Sequence, residues 1–144
     1  MTIKVKIKLL DESLKVPNFA YPGDVALDLY SRITTKINPG EIQGVPTGIA
    51  IQLPFGYEAQ IRPRSGLAIK NGISLVNSPG TIDTEYRGEI VAIVVNLGKE
   101  TFFINKGDRI CQMAVRKVPI VEIEVVSELN NTSRGEKGFG SSGK

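Results

Sequence analysis

No stretch of this chain keeps apolar residues at a 3.6-residue spacing over a useful length. Short β-branched runs recur instead, each cut off by Gly or Pro. A chain patterned this way cannot bury helical stripes, so it must bury alternate faces of strands. Ile3, Val5, Ile7 and Leu9 alternate with lysines and predict the first strand. The second covers Asp24–Tyr30. Gly48–Leu53 and Tyr57–Arg62 flank Pro54-Phe-Gly56 and predict a hairpin. Pro63–Ala68 opens a single helical turn reaching Lys70. Ile73–Val76 and Ile90–Val95 flank a polar turn and predict an irregular hairpin. Thr101–Ile104, Arg109–Val115 and Val118–Val126 complete the series, with Pro119 placing the last at an edge or a strand start. Roughly ten short strands with Gly/Pro turns predict an all-β sandwich or closed barrel. The expected organisation is one domain, 1–129, with a polar, Gly-rich tail, 130–144.

Absences narrow the chemistry. There is no His, which excludes Ser-His-Asp and Cys-His catalysis and His-bound metals. The lone Cys111 makes neither an internal disulfide nor a zinc cluster, and its apolar run predicts a buried inert thiol. Hydrolysis must then rest on Asp or Glu, with an oxygen-bound cation if there is a metal. The net charge of +3 lacks the dense basic stripe of a nucleic-acid binder, but suits a small anionic ligand. Lys4, Lys6 and Lys8 read as a solvated strand face. No apolar run approaches the length of a membrane span. The charged, alternating start does not read as a signal peptide, so a cytoplasmic protein is expected.

Five polar clusters stand out. The segment Asn77-Ser-Pro-Gly-Thr-Ile-Asp-Thr-Glu-Tyr-Arg-Gly88 carries an amide, a carboxylate (Asp83) and a ring (Tyr86). Ile82 and Thr84 are expected to desolvate Asp83 partly and raise its basicity. Asp28 sits inside the second strand. Arg64-Ser-Gly66 offers a guanidinium, a hydroxyl and exposed backbone N–H groups, a set suited to phosphate. Gly107-Asp-Arg-Ile-Cys-Gln112 offers an amide. The tail's glycines and serines, with Arg134 and Lys137, form a flexible anion-binding loop able to close as a lid. Its match to GxGxxG lacks the flanking strand and helix that would give the motif meaning. Each cluster alone also has a bland reading: Asp28 capping a turn, Arg64 paired with Glu58 or Glu89, Asp108 in ordinary turn chemistry.

Together the clusters resemble the five ordered motifs of the trimeric dUTP pyrophosphatase family. They stand here as Ala26-Leu-Asp-Leu-Tyr-Ser31, Pro63-Arg-Ser-Gly-Leu-Ala68, Asn77 to Glu89, Gly107 to Gln112, and Arg134-Gly-Glu-Lys-Gly-Phe-Gly-Ser-Ser-Gly143. Ala26, Cys111 and Ser142 depart from the family's usual Gly, Ala and Thr. All three are small, so no functional group is lost.

The resemblance implies a jelly-roll-like fold and a homotrimer whose active sites are each built from three chains. Motifs one, two and four come from one chain, the hairpin from a second and the tail from a third. It implies hydrolysis of dUTP to dUMP and pyrophosphate, which keeps uracil out of DNA and supplies dUMP for thymidylate synthesis. Asp83 would activate the water that attacks the α-phosphorus. Asn77, with groups near Thr81, Ile82 and Val91, would read the uracil edge. Tyr86 would pack under the sugar and Phe139 stack on the base. Arg64, Ser65, Gly66, Gln112, Arg134, Gly140 and Ser141 would hold phosphates. Mg2+ would bridge them, with Asp28 near the metal through water. No nucleic-acid or membrane partner is implied. The rival readings are a dCTP deaminase-like enzyme, a non-catalytic nucleotide-binding trimer on the same scaffold, and a capsid-type structural β protein.

Overall fold

A computed structural model describes residues 1–144. Eleven strands and one short helix follow one another along the chain. They are β1 (Lys6–Leu9), β2 (Ala26–Tyr30), β3 (Thr35–Ile37), β4 (Ile42–Pro46), β5 (Ile49–Gln52), β6 (Tyr57–Arg62), α1 (Ser65–Asn71), β7 (Ile73–Leu75), β8 (Gly80–Ile82), β9 (Val91–Asn96), β10 (Phe102–Ile104) and β11 (Arg109–Lys117). The all-β expectation holds, and the fold is jelly-roll-like.

The strands pair as β2-β11-β6-β8, β4-β9-β7, β1-β5 and β10-β3, all antiparallel. Alternation turns one side chain in every two toward a common core. Leu29, Ile37, Val45, Ala59, Val94, Ile104 and Met113, from three of the four sheets, are buried together there with Ile90, which precedes β9. The lysines of β1 and its approach face solvent, while Val5, Ile7 and Leu9 pack on the core.

Three expectations are corrected. Gly48–Leu53 and Tyr57–Arg62 do not form a hairpin: β5 pairs with β1, whereas β6 pairs with β11 and β8. Gly56, at φ +83°, turns the chain from one sheet into another. Both runs therefore gain long-range partners in place of each other. The predicted single helical turn is instead the seven-residue helix α1, ended by left-handed Gly72. Val118–Val126 forms no strand. Its alternation is real, but it joins none of the chain's sheets, and Ile120, Val121, Ile123 and Val125 stand in solvent.

The hairpin of Ile73–Val76 with Ile90–Val95 is present as β7 against β9, with Leu75 opposite Val94. Its connecting segment is more ordered than a turn, because β8 leaves it to pair with β6, Ile82 opposite Ala59.

Candidate active site

Asp28 lies mid-strand in β2, opposite Gln112 of β11, which in turn lies opposite Arg62 of β6. Strict alternation would put Arg109 and Gln112, three residues apart, on opposite faces. A bulge between Arg109 and Cys111 adds one residue, so Ile110 and Cys111 are both buried and the phase shifts. Arg109 and Gln112 thereby come to the face that carries Asp28. This single irregularity assembles the polar face.

On that face Arg64 Nε donates to Asp28 Oδ1 at 3.0 Å, and Arg109 Nε lies 3.7 Å from Oδ2. Arg64 Nη1 donates to the Arg109 carbonyl at 3.2 Å. Gln112 Nε2 donates to the Pro63 carbonyl at 2.9 Å, fixing the segment that leads into α1. Arg64 thus pairs with Asp28, neither with Glu58 nor with Glu89. Ser65 and Gly66 open α1 with no side-chain cap, and open space surrounds Gly66. A cavity of about 450 Å³ is bordered by Asp28, Arg62, Gln112 and Tyr21, and one of about 440 Å³ by Arg64, Asp108 and Arg109. Arg62, which donates to Gln60, and Arg109 are contributors that spacing alone did not mark. An arginine ending a strand has no distinctive pattern until its neighbours are known.

The hairpin forms a second group. Asn77 Nδ2 would lie 3.1 Å from a Cβ placed on Gly80, so a glycine admits the amide against β8. Thr81 is exposed and Ile82 half-buried. Asp83 is exposed, a correction to its expected desolvation. Ile82 and Thr84 turn inward and Asp83 outward, as alternation requires, and Thr84 Oγ1 donates to the Tyr57 carbonyl at 2.9 Å. Tyr86 hydroxyl donates to the Glu89 carbonyl at 2.9 Å, and its ring covers Gly88. Val91 is partly exposed at the start of β9.

The two groups do not meet within one chain. With Ile82 opposite Ala59, Asp83 stands at the level of Glu58, six residues before Arg64. At about 3.3 Å per residue that is roughly 20 Å. Neither cavity bordered by Asp28 or Arg64 includes a residue of 77–88. The tail stands apart as a third group. It folds into its own turns, with Arg134 Nε donating to the Lys137 carbonyl and Ser141 N to the Gly138 carbonyl. Phe139 is fully exposed beside left-handed Gly140.

No group of three acidic or thiol side chains is placed to cage a metal. Asp28 has a guanidinium near each oxygen, yet a carboxylate offers about four acceptor sites. One such carboxylate can accept from a water held by a hard cation but cannot cage the ion by itself. Cys111 is buried and free. Burial, with Asp28 nearby, pushes its thiol up to about 12.

Comparison with known proteins places this all-β chain among hydrolases of nucleotides. The dUTPase family model matches residues 12–143. The deoxyuridine 5'-triphosphate nucleotidohydrolase of Clostridium tetani is 50% identical over 140 residues, 97% of each chain. That of Trichodesmium erythraeum is 51% identical over 141 residues, covering 98% of this chain and 99% of the relative. Among solved structures, the G164S dUTPase of Staphylococcus bacteriophage 80alpha with dUpNHpp superposes with a TM-score of 0.90 at 26% identity, over 99% of this chain and 100% of that one. The chain belongs to the dUTPase family. It is accordingly an enzyme, a hydrolase of the dUTP diphosphatase type.

Proposed function

We propose that this chain hydrolyses dUTP to dUMP and pyrophosphate in pockets shared between three copies. The observation that carries the shared pocket is the separation of roughly 20 Å between Asp83 and Arg64 along β6. A base and a phosphate clamp that far apart cannot act on one α-phosphorus. A second chain supplies the missing half. The unpaired run 118–126 supports assembly, since Ile120, Val121, Ile123 and Val125 would otherwise stay in water. A closed threefold ring buries such segments without leaving an open binding surface.

Asp83 takes a proton from water, and the resulting hydroxide-like oxygen attacks the α-phosphorus in line. The bond from that phosphorus to the bridging oxygen breaks, and pyrophosphate leaves. Arg64, Ser65, Gly66 and Gln112 hold phosphate oxygens. Asp28 fixes the Arg64 guanidinium at 3.0 Å, and it would hold Mg2+ through water. When bound, the cation would supply positive charge that offsets the charge of the phosphates. A positioned base contributes about 10²–10⁴ in rate, so the clamp must supply the larger share.

Asn77 and the backbone around Thr81, Ile82 and Val91 read the uracil edge. A site built to bond one donor–acceptor pattern rejects the opposite pattern of cytosine by roughly 10⁴. Tyr86, held over Gly88, packs under the deoxyribose and excludes a 2′-hydroxyl. The tail 130–144 of a third chain closes as a lid, with Phe139 on the base and Arg134, Gly140 and Ser141 on the phosphates.

The test is pyrophosphate release measured across the deoxynucleoside triphosphates, for the wild type and for Asp83→Asn. Release from dUTP alone is expected. The variant should bind dUTP yet lose about 10²–10⁴ in kcat. Equal release from dCTP, ammonia from dCTP, or a wild-type rate in Asp83→Asn would each overturn the reading.

A further inference from the structure

The segment that carries Asp83 and Tyr86 returns to the barrel at Glu89, the last residue of the third motif, whose side chain has no role in the chemistry above. Both ends of Glu89 are occupied. Its carboxylate Oε1 accepts from Arg32 Nη1 at 3.1 Å and from the Gly48 backbone N–H at 3.0 Å, and Oε2 faces the same Arg32 nitrogen at 3.3 Å. Its carbonyl accepts the Tyr86 hydroxyl at 2.9 Å. Tyr86 N–H in turn donates to the Asp83 carbonyl at 3.2 Å. An unbroken series of bonds therefore runs from Arg32 through Glu89 and Tyr86 to the backbone of Asp83.

Arg32 is itself fixed from three sides. Its N–H donates to the Pro46 carbonyl at 2.8 Å. Its Nη2 donates to the Leu10 carbonyl at 3.0 Å. Its Nε lies 3.7 Å from Asp11 Oδ2, which Lys106 Nζ meets at 2.8 Å. The neighbouring Ile90 is fully buried, with its N–H on the Ile49 carbonyl and its own carbonyl taken by Thr47. The return limb is anchored to the barrel, while Asp83 itself is exposed. An exposed base keeps its aim only through the backbone that presents it.

We propose that Arg32 and Glu89 are positioning residues for the reaction: their charge pair sets the height and angle at which the hairpin offers Asp83 and Tyr86 to the shared pocket. Neither side chain needs to touch the nucleotide. The pair is partly exposed, with side-chain accessibilities of 36% and 24%, so its contribution to stability is small, as for other surface pairs. Its contribution to rate is larger, because a displacement of about 1 Å at a reacting group can cost on the order of a hundredfold. This inference rests on the dUTP reading of the pocket.

The experiment compares Arg32→Met, Glu89→Met, their double variant and Arg32→Lys as assembled proteins. Binding sites per chain are counted calorimetrically with a non-hydrolysable α,β-imido analogue of dUTP, and kcat and KM are measured on dUTP. Expected are an unchanged number of sites, a fall in kcat of about 10- to 100-fold for each Met variant, little change in KM, and a double variant no worse than the poorer single. Arg32→Lys should recover part of kcat. Should Glu89→Met not fold, Glu89→Gln, which keeps an acceptor oxygen, takes its place with a smaller fall. Wild-type kcat in the Met variants, or losses that match a loss of binding sites, would overturn the inference while leaving the pocket's reading intact. Absence of wild-type turnover on dUTP would overturn both.

Discussion

Gly88→Ala tests whether the Tyr86 ring is held by its own hairpin. A Cβ at Gly88 would sit 2.4 Å from the Tyr86 hydroxyl oxygen and 2.6 Å from Cζ. Ordinary contact begins near 3.4 Å, so the ring must retreat by about 1 Å. The bond from its hydroxyl to the Glu89 carbonyl, 2.9 Å long, then stretches to nearly 4 Å and is lost. A neutral hydrogen bond is worth about 1 kcal/mol net. Tyr86 is 44% exposed, so the ring can swing outward and little packing is forfeited. The expected thermal shift for a chain of this size is therefore about 3–4 °C downward. The functional loss should be larger. A displaced ring no longer closes the space where a ribose hydroxyl would enter, so the ratio of kcat/KM for dUTP over UTP should fall by about tenfold or more. The assay is pyrophosphate release on both nucleotides, with calorimetric melting alongside. An unchanged ratio together with an unchanged melting temperature would refute the placement of Tyr86 over Gly88.

If the proposed trimer and lid hold, deletion of residues 134–144 should lower turnover sharply and leave the trimer intact, read by kinetics and by sedimentation; an unchanged rate would remove the lid. Tail protection from protease by the imido analogue with magnesium is the matching equilibrium measurement. Cys111 should resist alkylation in the native protein at pH 9, because its thiol is pushed up to about 12. In the unfolded chain the thiol ionises near its ordinary value of about 8.5. Between those values the unfolded state binds fewer protons, so this group makes stability fall as pH rises. Urea titrations at pH 8 and pH 10 should show a slope that Cys111→Ala lacks.

What could be read from the sequence follows from how far each interaction reaches. The alternation in Ile3–Leu9 and the apolar run in Arg109–Val115 are local signals, and strands form at Lys6–Leu9 and Arg109–Lys117. The Pro54–Gly56 turn is also local, but its partners are not: β1 and β11 compete for the flanking runs and win. Val118–Val126 has strand patterning yet joins no sheet of its own chain, and no window of residues reveals which runs find a partner. Asp28, Arg64 and Gln112 were legible as members of ordered motifs, while the bulge that turns Arg109 and Gln112 to one face was not. Glu89 finds Arg32 across 57 positions, and no spacing rule links two charges so far apart.

The distance between Asp83 and Arg64 along β6 also bears on how such an enzyme is switched on. On the proposed reading, a newly made chain is inert however well it folds, because half of every pocket belongs to someone else. Output then rises more steeply than the amount of polypeptide at low abundance, and a cell holding few copies would have almost none of this chemistry until its chains find one another.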